Sequence, residues 1–155
     1  MPKKGHLLFF ADIKKAIGKV IYSEVENDDL KRVIKEHEDN FFLGVLIDKI
    51  TAGTETIEER YFNEKDEDFD IDLVNENGKM WNYFAGYEKS KMFGIYTNCQ
   101  AQENEILEVV NSNRIVLLQI GENGFNDDGL FNVLIDKEDL RKGNFNNCEY
   151  EWAQS

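Results

Sequence analysis

Short runs of β-branched, aromatic and other apolar residues recur along the whole chain, and this recurrence constrains the fold more than any other feature. The runs are four to ten residues long, which is the usual length of a β-strand. Turns rich in Gly, Asn and Asp separate them, and the single Pro is at position 2. Strands are predicted at 7–10, 19–25, 41–50, 58–62, 66–74, 79–87, 105–110, 114–120, 129–135 and 145–152.

The most regular strand pattern is DEDFDIDLV, at 66–74. A strand has a period of two, so its aspartates share one face and its apolar residues share the other. Asn77-Gly78 is a strong hairpin signal, and it predicts that 79–87 forms the return strand. The aspartates and the acidic residues beside them form the predicted acidic face, which consists of Glu64, Asp66, Glu67, Asp68, Asp70 and Asp72.

Two further strand predictions concern other parts of the chain. The run 7–10 is apolar throughout, which is typical of a strand buried on both faces. The runs 105–110 and 114–120 flank Asn111-Ser112-Asn113 and predict a second hairpin.

Helical patterns are fewer. Asn27-Asp28-Asp29 offers capping groups, and apolar residues follow at helical spacing, which predicts a longer helix at about 28–38. Asp136 before the apolar-poor KEDLRK segment and Gly143 after it predict a short helix at about 137–142. No internal repeat or linker divides the chain. We therefore expect one α+β domain over 1–155, with a mostly antiparallel or mixed β-sheet.

The charge of the chain restricts its partners. It has 31 acidic residues against 18 basic ones, a net charge of −13. Such a surface repels phosphate backbones and anionic lipid headgroups, so we expect no direct binding of nucleic acid or of membranes. It favours association with a basic protein, although solubility alone also explains it. Both interpretations remain open at this point.

No pattern of residues indicates catalysis. The histidines His6 and His37 lie in no nucleophile or zinc-type context, and Cys99 and Cys148 are far apart. The aspartate run fails as an EF-hand, because Ile71 and Asn77 stand where that loop needs Gly and Glu. Nucleotide-binding glycine motifs are also missing. We expect a protein without catalytic residues, metal or cofactor, whose cysteines are small core residues.

Compartment is inferred from the amino-terminal segment and from hydropathy. The apolar run after the basic start spans only 7–11, which is too short for a secretory signal. No segment approaches the length of a membrane span. These features predict a cytoplasmic protein with reduced thiols.

Three motifs follow one another in the last quarter of the chain. These are the strand Leu117-Leu118-Gln119-Ile120, the loop residues Asp127-Asp128-Gly129 and the helix start Lys137-Glu138-Asp139-Leu140. They are similar to a strand, the loop after it and a helix start of the YwqG-like family, which this part of the chain therefore resembles. The segments 5–12 and 18–24 are similar to its first two strands. The resemblance implies the family's fold in a compact form. It implies no activity, because the family has none established.

Three functional hypotheses follow. In the first, the acidic face of this non-enzymatic protein binds and inhibits a basic nuclease or nucleic-acid-guided effector, as a toxin-immunity or anti-CRISPR protein that mimics nucleic acid. The alternative is a YwqG-like scaffold or small-ligand-binding domain with a pocket near the 121–129 loop. A hydrolase that uses paired carboxylates or a metal ranks last. For the small-ligand alternative, the residues proposed at the 121–129 loop are Glu122, Asn126, Asp127 and Asp128.

Overall fold

A computed structural model describes residues 4–31, 47, 49–53, 89–125 and 129–154. Over these residues the chain forms two antiparallel β-sheets and two α-helices, which confirms the predicted α+β class. The elements in chain order are β1 (His6–Asp12), β2 (Ile17–Ser23), α1 (Glu103–Val110), β3 (Arg114–Ile120), β4 (Gly129–Asp136), α2 (Lys137–Lys142) and β5 (Glu149–Gln154).

Strands β1 and β2 form an antiparallel hairpin. Its register pairs Phe9 with Val20, and the turn is a 3-10 helix at Ile13–Lys15 followed by Ala16 in the left-handed conformation. Phe9 and Val20 pack into a core cluster, but Phe10, which points to the other side, is 56% exposed. The prediction that 7–10 is buried on both faces is therefore wrong, because the hairpin packs against the rest of the protein with one face.

The second sheet has the order β3-β4-β5, and both pairs of neighbours are antiparallel. Its centre is β4, which is buried along Gly129–Ile135. A bulge between Val116 and Leu118 shifts the register of β3 against β4 by one residue. The predicted strands 114–120 and 129–135 are confirmed.

Both faces of β4 are covered, which explains its unbroken burial. On one face Phe131 and Val133 pack with Val20 of the hairpin. On the other face Leu134 packs with Tyr96 and with Val109 of α1. The sheet is therefore the middle layer between the hairpin and α1, and most residues of a strand in that position must be apolar.

The predicted hairpin of 105–110 with 114–120 is wrong, because Glu103–Val110 is an α-helix. The Glu105 carboxylate accepts a hydrogen bond from the Gln102 backbone N–H at 2.8 Å, which stabilises the first turn. Ile106, Val109 and Val110 then lie on one helical face and pack against the core. A short apolar run fits both periods, and the cap decides between them.

Two further predictions are wrong in part. Asn27–Asp29 is a single 3-10 turn followed by extended backbone at Leu30, so the helix predicted at 28–38 does not begin there. The rest of that helix lies outside the described residues. The strand predicted at 145–152 starts only at Glu149, because 143–148 forms a loop in which Asn144 and Asn147 donate to Asp139.

The short helix α2 is confirmed. The Asp136 carboxylate accepts from the Glu138 N–H at 2.7 Å, and Gly143 ends the helix at φ 67°.

Ile47 and Ile50 lie outside any strand and are 74% and 86% exposed, so the predicted core strand 41–50 fails at its carboxyl end. The predicted strands 58–62, 66–74 and 79–87 lie outside the described residues. None of the described helices has the length and apolar character needed to cross a bilayer.

Candidate functional site

Polar side chains lie in the buried centre of the three-stranded sheet. Gln119 of β3 and Asn132 of β4 are register partners, and neither has any exposed surface. Glu151 of β5 pairs with Asn132 on the other side, so the three residues form one row across the sheet. Buried polar groups are costly unless they are hydrogen-bonded, so this row requires specific partners.

The segment 89–98 supplies many of those partners. The Thr97 hydroxyl donates to Gln119 Oε1 at 2.8 Å, and Gln119 Nε2 donates to the Lys89 carbonyl oxygen at 2.9 Å. Asn132 Nδ2 donates to the Thr97 carbonyl oxygen at 2.9 Å. The row therefore fixes this segment against the face of the sheet.

Tyr96 connects the same segment to β5. Its hydroxyl donates to Glu151 Oε2 at 2.6 Å and accepts from Asn98 Nδ2 at 3.0 Å. Burial, and then the hydrogen bond to the Glu151 carboxylate, raise the pKa of Tyr96 well above its usual value. The raised pKa favours the protonated phenol, which is the form that donates to the Glu151 carboxylate.

One atom of the row stands out. Among the described residues, Asn132 Oδ1 is a buried side-chain oxygen that has no hydrogen-bond partner. Such an acceptor costs about 1–3 kcal/mol relative to a satisfied one. Because Nδ2 donates to the Thr97 carbonyl oxygen, Oδ1 is the unsatisfied end of this amide.

The predicted loop site adjoins this row. The Gly121 N–H donates to Ser90 Oγ at 3.1 Å, and Glu122 is half-buried in a 3-10 turn at Glu122–Gly124. Phe125 contacts Trp152 of β5 edge to face, with 5.0 Å between the ring centroids. The other predicted loop residues, Asn126, Asp127 and Asp128, lie outside the described residues.

The predicted acidic face also lies outside the described residues, since Glu64, Asp66, Glu67, Asp68, Asp70 and Asp72 all fall within 54–88. The sequence nevertheless shows where the charge is concentrated. Residues 54–88 contain 11 acidic and 3 basic side chains, a net charge of −8. The described residues contain 14 acidic and 12 basic side chains, a net charge of −2. Most of the excess charge is therefore in one contiguous part of the chain.

Neither cysteine has the environment of a reactive thiol. Burial, and then the Asp139 carboxylate, raise the pKa of Cys148 to about 11, while burial raises the pKa of Cys99. Both thiols are free and half-buried, and Cys148 packs against the main core cluster. Thiolate is the nucleophilic form, so these shifts reduce reactivity at neutral pH.

Within the described ranges, no three His, Cys, Asp or Glu side chains converge as metal ligands would.

The polar row was not predicted from the sequence, although a signal was present. Gln119 and Asn132 are single polar residues inside the apolar strands RIVLLQI and GLFNVLI. A strand buried on both faces has no solvent side for such a residue, so it must find partners inside the protein. Thr97, Tyr96 and Glu151 carried no comparable signal, because only the fold brings them to the row.

These features define a class of protein, namely an α+β domain with a central antiparallel sheet and a buried polar row. Residues 1–153 match the family described as "Domain of unknown function (DUF1963)", and the chain belongs to that family. No curated protein and no solved structure matches the chain.

Proposed function

We propose that this protein is a non-enzymatic acidic binding protein that inhibits or neutralises a basic partner protein. The observation that supports this proposal most strongly is the net charge of −8 within residues 54–88, against −2 over all described residues. Charge that serves only solubility can be distributed over the whole surface. Charge gathered in one segment creates a local potential that attracts a cationic surface.

The spacing of the charges supports the same proposal. If 66–74 forms the predicted strand, alternate aspartates are about 6.6 Å apart along one face. A regular row of carboxylates is complementary to the Lys and Arg side chains that bind phosphate backbones. The proposed partner is therefore a basic nuclease or a nucleic-acid-guided effector, and the setting is toxin immunity or anti-CRISPR inhibition in the cytoplasm.

The described side chains give a non-enzymatic role further support. Burial raises the pKa values of Tyr96 and Cys148, which disfavours the phenolate and thiolate forms that would act as a base or a nucleophile. Both pKa shifts are caused by burial and by nearby carboxylates, which is typical of side chains with a structural role. The proposal assigns the activity to surface charge and not to a cleft.

The test is co-purification from host lysate at low and high ionic strength, followed by association kinetics with the captured basic protein. Replacing Asp66, Asp68, Asp70 and Asp72 with Asn should slow association by about tenfold or more at low salt, because electrostatic steering is lost. High salt should remove most of the difference between the variant and the wild type.

A matched variant controls for total charge. Four exposed acidic residues of the described part are replaced with their amides: Glu26, Asp28, Asp29 and Glu108. This variant has the same net charge as the Asp variant and should keep most of the wild-type association rate. Equal slowing in both variants, or association that is insensitive to salt, would reject the proposed acidic face.

A second candidate function is a YwqG-like scaffold that binds a small ligand beside the 121–129 loop. It is favoured by Asn132 Oδ1, the buried acceptor without a partner, which a ligand N–H or O–H donor could satisfy. The test is a metabolite screen by thermal shift, comparing wild type with Asn132→Leu. Stabilisation of the wild type alone supports this function, and the absence of any stabilising compound counts against it.

A further inference from the structure

We propose that the outer face of the β1–β2 hairpin is a docking surface for an anionic lipid bilayer, which the protein binds peripherally. This proposal is independent of the proposed binding of a basic protein. It rests on the exposed apolar side chains of the hairpin, on the lysines beside them and on the layer order of the fold.

The two faces of the hairpin differ in what they contact. The inner face packs into the main core cluster through Phe9 and Val20. Side chains alternate between the faces of a strand, so the outer face presents Phe10, its register partner Lys19, and Ile17. Phe10 is 56% exposed and Ile17 is 55% exposed. Large apolar side chains that share one exposed face indicate a contact surface.

Lysines are concentrated in the same hairpin. Residues 4–23 contain 4 basic side chains, all exposed, and 1 acidic side chain, a net charge of +3. The other described residues contain 8 basic and 13 acidic side chains, a net charge of −5. Lys19 lies directly beside Phe10, and Lys15 lies at the turn, with its Nζ 3.4 Å from the Asp12 carboxylate. Exposed lysines around apolar side chains are typical of surfaces that bind anionic lipid.

The net charge of the whole chain, −13, predicts repulsion from such a membrane, but charges close to the lipid have the largest effect on the contact. The potential of an anionic membrane falls off within a Debye length, which is about 8 Å at physiological ionic strength. Packed sheets lie about 10 Å apart, so the three-stranded sheet behind the hairpin is beyond that distance. With its outer face on the lipid, the hairpin therefore contributes its own positive charge to the contact.

A bilayer fits this face better than an acidic protein does. In the interfacial region of a bilayer, Phe10 and Ile17 would contact the acyl boundary while Lys15 and Lys19 extend to the phosphates. A lysine in the middle of an apolar face suits this arrangement, because its aliphatic stem and its charged end meet different layers of the lipid. Interfaces between proteins are instead depleted of lysine.

The test is co-sedimentation of the protein with vesicles of phosphatidylcholine and with vesicles of an equimolar phosphatidylcholine–phosphatidylserine mixture. We expect binding to the mixed vesicles alone, and added salt should weaken it. Lys19→Gln should reduce the affinity for mixed vesicles about fivefold, since one lysine at the membrane surface contributes about that factor. Phe10→Ser should reduce it by at least about fivefold, because an apolar contact with the lipid is lost.

Matched variants elsewhere control for charge and for apolar surface. Lys89→Gln removes an exposed lysine from the side of the three-stranded sheet that faces α1, where the Lys89 carbonyl oxygen accepts from Gln119 Nε2. Met92→Ser removes an exposed apolar side chain outside the hairpin. Both should bind mixed vesicles as the wild type does, and circular dichroism checks that every variant is folded. Equal weakening by Lys19→Gln and Lys89→Gln, or a wild type that does not sediment with mixed vesicles, would overturn the proposal.

Discussion

At the residue scale, single polar or small residues set the close contacts of this fold. Gln119 and Asn132 interrupt apolar strands and thereby fix the position of residues 89–98. Gly18 has a comparable effect at the interface between the hairpin and β5. Each acts through a few specific neighbours, so substitutions there have effects that can be predicted from distances.

Gly18→Ala should destabilise the protein. A Cβ at this position would lie 2.5 Å from the Phe10 carbonyl oxygen and 2.6 Å from Tyr150 Cε1, which is too close for either contact. We expect the free energy of unfolding to fall by about 1–3 kcal/mol, measured by urea denaturation. Gly53→Ala is the control, because a Cβ there meets nothing within 4 Å. Equal stability of the two variants would contradict this description of the interface.

Cys148 should make stability fall at alkaline pH. Its pKa is raised from the ordinary 9.0 to about 11, so the folded state holds the thiol proton more tightly than the unfolded chain. The resulting stabilisation is present below pH 9.0 and is lost as the pH rises towards about 11. Urea unfolding across this range should show a steeper loss in wild type than in Cys148→Ala. If the free energies of unfolding of the two proteins fall in parallel with pH, the thiol does not contribute to the pH dependence of stability.

At the element scale, local capping decides what an ambiguous apolar segment becomes. The segment 105–110 fits a strand by length and a helix by the spacing of its apolar residues. The Glu105 carboxylate on the Gln102 N–H favours the helix, and packing of Ile106 and Val109 then secures it. At Leu30 the expected helix does not begin, and no side-chain bond caps the preceding 3-10 turn.

Glu105→Ala should weaken α1. The substitution leaves the Gln102 N–H without its acceptor, and we expect a loss of about 0.5–2 kcal/mol in the free energy of unfolding. Asn104→Ala on the same helix is the control, since Asn104 is exposed and Ala has the higher helix propensity. Thermal unfolding followed by circular dichroism measures both. A Glu105→Ala variant as stable as Asn104→Ala would show that the cap is not needed.

At the scale of the whole molecule, the net charge is distributed unequally along the chain. The described sheets and helices are nearly neutral, whereas residues 54–88 have a net charge of −8. Like charges gathered in one segment repel each other and reduce the stability of a compact state. Such a loss of stability is expected where clustered charge is used to bind a partner.

Neutralising the acidic face should therefore stabilise the protein at low salt. Replacing Asp66, Asp68, Asp70 and Asp72 with Asn should raise the melting temperature, and added salt should reduce the gain because it screens the repulsion. The amide variant of Glu26, Asp28, Asp29 and Glu108 changes the total charge equally and should gain less. Differential scanning calorimetry at two ionic strengths distinguishes them, and equal gains would argue against local repulsion.

The sequence by itself determined the α+β class, the strands with continuous apolar runs and the capped helix α2. These features depend on neighbouring residues, and periodicity and capping groups report such local preferences directly. The positions of strand ends were less predictable, as the loop at 143–148 shows, because side-chain bonds to Asp139 replace the strand ladder there.

Only the tertiary structure decided which faces are buried and which polar groups meet. Phe10 is exposed because the hairpin packs with one face, and the apolar side of 105–110 is buried because it lies against the sheet. The row of Gln119, Asn132 and Glu151 joins residues from three strands that are distant in sequence. Contacts of this kind depend on strand register and layer order, which no local pattern encodes.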